Sequence, residues 1–192
     1  MAIQINGSGT ITGLSAGGLP AGSVTAATLA SGVGGKILQV VSTTKTDEFE
    51  HSNLAESTFS NAAMSLNITP SNASNKILIR IEATVSTYVA DTRISMAIFK
   101  DGSIISGAKG DSSGSRNPAT TETYQDIQAS AETISAEYLD TAGGTSQITY
   151  DIRFMHSQGS GANLYLNRSG LDHNSIGYYR TVSTMTAMEI AA

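Results

Sequence analysis

The sequence predicts an all-β protein, with an antiparallel sandwich or jelly roll of about eight strands over residues 36–192 and an extended, chargeless segment over residues 1–35. Three observations predict it. Apolar residues alternate with polar ones in several short runs. Clusters of Gly, Pro, Asn, Asp and Ser separate those runs. No stretch sustains the apolar stripe of an amphipathic helix.

The opening segment stands apart by composition. Its first charged residue is Lys36, and nine of the 19 glycines precede it. Leu14, Leu19, Val24 and Leu29 recur every five residues among Gly, Ala, Ser and Thr. Gly/Ser-rich composition ordinarily implies a flexible linker. A linker has no need of regularly spaced Leu and Val, however, so these four are candidate contacts with other chains.

From Lys36 onward the period is two. Ile77, Ile79, Ile81, Ala83 and Val85 alternate with Leu78, Arg80, Glu82 and Thr84. Ile134, Ala136 and Tyr138 alternate with Ser135 and Glu137. Ile148, Tyr150, Ile152 and Phe154 alternate with Thr149, Asp151 and Arg153. Shorter runs of the same kind are Ile37–Ser42, Met64–Thr69, Arg93–Phe99, Leu164–Leu166 and Val182–Ile190. The run His51–Ala63 lacks an apolar stripe and reads as loop or a single turn. Asp101-Gly102 between apolar runs is a strong hairpin signal. Pro70–Asn75 and Ala142–Gly144 read as turns, and Ser106–Thr120, Ser157–Ala162 and Asn167–Tyr179 as the loops that a rigid sandwich would present. No internal repeat of solenoid or propeller period appears.

Composition excludes several function classes. Lys and Arg number 11 against 16 acidic residues, for a net charge of −5, and they are scattered, which does not suit phosphate binding. Cysteine is absent, which excludes disulfides, thiolate catalysis and Cys-type zinc sites. No apolar run approaches a membrane span, and no basic stretch followed by an apolar core marks a secretory leader, so synthesis in a cytoplasm is expected.

Chemistry-bearing constellations are equally sparse. His51, His156 and His173 lack metal-ligand spacing and are expected at the surface or an interface. Gly7-Ser8-Gly9 is not followed by a helix that would support a phosphate cradle. No Gly-x-Ser-x-Gly elbow occurs. Glu82, Glu137 and Asp151 are expected on solvated strand faces and Asp101, Asp111 and Asp140 in turns, which leaves no pair of carboxylates set up for glycoside hydrolysis. The expectation is a protein that is not an enzyme and holds no metal or cofactor. Tyr178, Tyr179 and Arg180 before the last strand, and Arg116 in the longest loop, are the candidate recognition residues, since Tyr and Arg are enriched at binding hot spots.

The phrase Ile5-Asn6-Gly7-Ser8-Gly9-Thr10-Ile11-Thr12-Gly13-Leu14, then Gly17-Gly18-Leu19-Pro20 and Ala21-Gly22-Ser23-Val24-Thr25, resembles the opening of virion fibre proteins of tailed phages, marine ones especially. Gly35–Val40, Ile68–Ser71 with Asn75–Ile79, Phe99–Gly102, Glu137–Asp140 and Ser183–Ile190 are similar to later blocks of that family. The resemblance spans nearly the whole chain. It implies a homotrimeric fibre or spike subunit with a C-terminal jelly-roll knob, like the trimeric heads of the tumour-necrosis-factor and complement-head group. The N-terminal segment would hold other virion proteins or run up the trimer axis, and the knob would face a host-surface glycan or protein. The family shares no catalytic residues. The chain has no long shaft, so a short tail-fibre tip, a head fibre and a capsid decoration protein all remain open.

Trimer physics agrees with the residues themselves. Three copies would bury the chargeless segment against one another, and closed cyclic symmetry is the common solution for homo-oligomers. Ile37–Ser42 and Val182–Ile190 would pair as first and last strands. Both carry apolar residues of both parities (Val40 and Val41; Met185 and Met188), as expected of strands covered on two faces.

Overall fold

Eleven strands of the larger unit fall into two antiparallel sheets whose order is that of a jelly roll. The computed structural model describes residues 4–5, 11–12, 36–159 and 161–192. Contacts divide the chain into two units, Met1–Lys36 and Ile37–Ala192. In the first, β1 (Gln4–Ile5) and β2 (Ile11–Thr12) form an antiparallel ladder pairing Gln4 with Thr12 and Ile5 with Ile11. Leu14, Leu19, Val24 and Leu29 lie outside the described residues.

The second unit contains β3 (Ile37–Lys45), β4 (Phe49–Leu54), β5 (Met64–Ile68), β6 (Lys76–Thr87) and β7 (Thr92–Lys100). It continues with β8 (Ser103–Ile104), β9 (Thr121–Gln125), β10 (Glu132–Thr141), β11 (Ile148–His156), β12 (Ala162–Leu166) and β13 (Ser183–Ile190). The first sheet runs β3–β13–β6–β10 and the second β5–β11–β7–β9. Consecutive strands thus mostly alternate between sheets, the pattern that makes two Greek keys of one jelly roll. β12 and β4 extend the first sheet: β13 pairs β6 over Lys76–Glu82, and β12 takes over the same edge at Val85–Thr87.

The period-two runs explain the core. Ile77, Ile79, Ile81, Ala83 and Val85 of β6 face Ile94, Met96 and Ile98 of β7 and Tyr150, Ile152 and Phe154 of β11 across the sandwich, all of them buried. Each fully buried Ile or Phe contributes about 2 kcal/mol. Asp101 and Gly102 both take positive φ, 48° and 78°, and close the β7–β8 hairpin as the Asp-Gly pair predicts.

Seven of the eight jelly-roll strands match the sequence reading, including the antiparallel pairing of the first and last, β3 with β13. The expected strand around Leu164–Leu166 is the added strand β12. The eighth strand of the roll is β9, inside a stretch with no apolar alternation. His51–Ala63 needs correction: residues up to Leu54 belong to β4, which is stabilised by pairing with β12 and not by its own pattern. The loop beginning at Ser106 holds a single 3-10 turn, Ser106–Ala108, and an isolated bridge between Ser113 and Arg116.

Candidate functional site

The outer face of the second sheet carries a cleft. Ile94, Met96 and Ile98 of β7 point to the core, so Arg93 and Ser95 point out. Pairing of β7 with β9 sets Arg93 beside Tyr124 and Ser95 beside Glu122; pairing with β11 sets Ser95 beside Met155. The loop through Gly110, Asp111, Arg116, Asn117 and Pro118 walls this floor on one side and Ser57 on another, leaving about 510 Å³.

Most charge on the floor is already matched. The Arg93 guanidinium donates to Glu122 Oε1 at 2.9 Å and lies 5.7 Å from the Tyr124 ring centroid. The Tyr124 hydroxyl donates to Asp91 Oδ1 at 3.1 Å, and that bond holds the phenol above its ordinary pKa. Arg116 differs: its Nη1 donates to the carbonyl and hydroxyl of Ser113 and forms no ion pair among the described residues. A cleft of this size, with hydroxyls, an amide, the Arg116 guanidinium, the Asp111 carboxylate and an apolar strip from Met155 and Pro118, suits a small polar ligand.

The other predicted recognition residues are not part of it. Tyr179 is 73% exposed, and Tyr178 is half-buried against His173 with ring centroids 5.1 Å apart. Arg180 joins Glu48 and Asp172, the two carboxylates that also hold Arg168, whose guanidinium stacks 3.7 Å from the Tyr165 ring centroid. Arg180 therefore works as a brace between the β3–β4 turn and the segment before β13. Arg93 and Glu122, which form the cleft floor, were missed because they lie 29 residues apart and only the β7–β9 pairing unites them. The signal for Arg93 was present: it has the polar parity of an otherwise apolar strand.

Three expectations about charged groups are corrected. Asp151 is not on a solvated face; it is buried at 4% exposure and gripped by Arg153 through two bonds, beneath the Phe59–Phe99 pair. Asp140 is not in a turn but near the end of β10, where it accepts from Lys100 Nζ and the Tyr150 hydroxyl, both at 2.7 Å. Burial, and then this bond, push the Tyr150 phenol far above its ordinary range, so it remains a neutral donor that ties one sheet to the other. His156 is not at the surface; it is buried, with Nε2 2.8 Å from the Leu54 carbonyl and Nδ1 accepting from the Gln158 amide. Each of these groups is occupied in holding elements together. Among the described residues, no three His, Asp or Glu side chains are placed to hold a metal ion.

No family model matches the chain, and no curated protein matches it. Among solved structures it is similar to a chain in the structure of the infectious bursal disease virus Gt strain, at 15% identity and a TM-score of 0.42, covering 80% of this chain and 38% of that one. A second is the infectious bursal disease virus VP2 subviral particle, at 16% identity and 0.42, with 80% and 38% covered. A third is the T=1 particle derived from infectious bursal virus, at 14% and 0.41, with 80% and 36% covered. The chain thus spans well under half the length of these neighbours. Its jelly-roll topology follows from its own strand order.

Proposed function

We propose that this chain is a non-enzymatic structural subunit of a virion: a homotrimeric tail-fibre or spike protein, anchored through its N-terminal segment and presenting the knob to a host surface. The observation that carries the recognition part is the cleft on the outer face of the second sheet. Its floor is paired strands, it is walled by the loop through residues 110–118, and Arg116 stands in it without an ion pair among the described residues. Arg93 and Glu122 on its floor are already paired with each other. Three copies would multiply a weak site by avidity. The family resemblance of the N-terminal phrase supports placement on a particle.

A capsid head fibre or decoration protein is the second reading, since either would present the same sandwich on a particle. Gold-labelled antibody on purified particles separates the two: label at tail tips supports the fibre, and label over capsid faces overturns it. For recognition, the purified chain is expected to decorate host cells, and Arg116→Ala to weaken that binding at least fivefold. Release of soluble fragments from host envelope glycans would overturn the non-enzymatic assignment.

A further inference from the structure

The outer faces of the two sheets are treated differently by the rest of the chain. On the second sheet, Phe99 is covered by Phe59 from the β4–β5 connection and by the Arg153 guanidinium, and the cleft is walled by residues 110–118. On the first sheet the Arg168 guanidinium covers Tyr165 at the β12 end, while Val40 of β3 and Leu139 of β10 stay exposed. The register shows what is left open. Val40 of β3 pairs with Met188 of β13, Met188 with Leu78 of β6, and Leu78 with Leu139 of β10. These four side chains form one apolar row across four strands, with Val40 56% and Leu139 51% exposed. Beside the row, a bulge in β3 leaves Ile37 and Leu38 both exposed next to Ile190. A continuous apolar patch of this kind on a soluble protein marks a contact surface.

We infer that this face of the β3–β13–β6–β10 sheet is the surface through which copies of the chain pack on one another. The inference rests on the oligomeric reading above and assigns that assembly to particular residues. Charge favours a second copy as the occupant. The face carries Lys76, Arg80, Glu82 and Glu137, two cations and two anions, with Arg80 and Glu137 paired at 3.2 Å. A chain of net charge −5 repels itself over most of its surface, but not through this balanced face. Shape and area agree. A cleft of about 540 Å³ lined by Arg80, Glu82, Glu137, Thr186 and Met188 borders the row. Four strands span about 19 Å and a strand of β13's length about 27 Å, on the order of 500 Å² per copy. Three copies converging on one axis through this face then bury on the order of 1,500 Å² in all, within the range of a specific interface.

The test uses the full chain. Light scattering is expected to give an oligomer for the wild type and a single-chain mass for Val40→Glu and Leu139→Glu, with their thermal transitions still cooperative, because both side chains are already half in solvent. A wild type of single-chain mass sinks the oligomeric reading and the inference with it. An oligomeric wild type whose two Glu variants remain oligomeric sinks the inference alone. Should the Glu variants fail to fold, cysteine labelling decides, since the chain has none of its own. In the oligomer, Leu139→Cys is expected to react with a maleimide at least tenfold more slowly than Ser65→Cys on the other sheet, and equal rates overturn the proposal. A single-chain species in which Leu139→Cys is shielded assigns the face to another segment of the same chain, and also overturns it.

Discussion

Glu189 is a buried carboxylate with no ion-pair partner among the described residues, and it shows how single side chains hold this sandwich. It accepts from Asn75 Nδ2 at 2.7 Å, from Gln39 Nε2 at 2.6 Å, and from both the amide and the hydroxyl of Ser71. Burial alone would raise its pKa; the bonds from Asn75, Gln39 and Ser71 outweigh burial and hold it at about 2. The folded pKa lies below the unfolded one, so the stabilisation is complete above about pH 5 and is lost as pH falls towards 2. From pH 7 to pH 3 the wild type should lose about 2 kcal/mol through this group. Glu189→Gln should be less stable at pH 7 by about 2 kcal/mol, because an amide nitrogen would face donors. It should also lack that share of the acid-induced loss. Urea unfolding at the two pH values measures both. This role is not legible in the sequence: Glu189 sits at an apolar parity of β13, where a carboxylate reads as an anomaly until its three neighbours are placed around it.

At the scale of elements, legibility followed apolar alternation. β6, β10 and β11 were plain because Ile, Ala, Tyr and Phe recur at every second position. β9 reads Thr-Glu-Thr-Tyr-Gln and was invisible, because its inward position at the strand end is Gln125, buried at 0% exposure. That side chain acts as a piece of backbone: Oε1 accepts the Thr87 amide at 2.9 Å and Nε2 donates to the Thr87 carbonyl at 2.7 Å, joining the end of β6 to the opposite sheet. Gln125→Leu keeps the bulk but strands both Thr87 groups, and should cost about 2–4 kcal/mol in denaturant unfolding. The hairpin between β7 and β8 depends on a different property. Gly102 has φ of 78° and open space where a Cβ would stand, so Gly102→Ala is resisted by backbone conformation alone. It should cost about 1 kcal/mol, and Gly102→Asn less than half of that, a ranking that melting temperatures will resolve. The cleft was half legible for the same reason as the sheet: Arg116 stands out in its loop, while Arg93 and Glu122 gain meaning only through strand pairing.

For the molecule as a whole, the sandwich closes its interior well and leaves one of its two outer surfaces unfinished. Buried side chains from both sheets form a continuous core, and Tyr150–Asp140–Lys100 and Gln125–Thr87 stitch the sheets at separate places. The apolar row on the first sheet lies outside those contacts, and its ends, Val40 and Leu139, stay half in solvent in an isolated copy. If the proposed trimer buries it, folding and assembly are linked, and the melting temperature must depend on concentration. An unfolding enthalpy of about 0.7 kcal/mol per residue gives roughly 110 kcal/mol for each sandwich. Three chains separating as they unfold then shift the midpoint upward by about 3 °C for each tenfold rise in protein concentration. A hundredfold dilution series should therefore move the calorimetric transition by about 6 °C. A midpoint that stays constant across that series would mean that the open face contributes nothing to stability and that each copy melts alone.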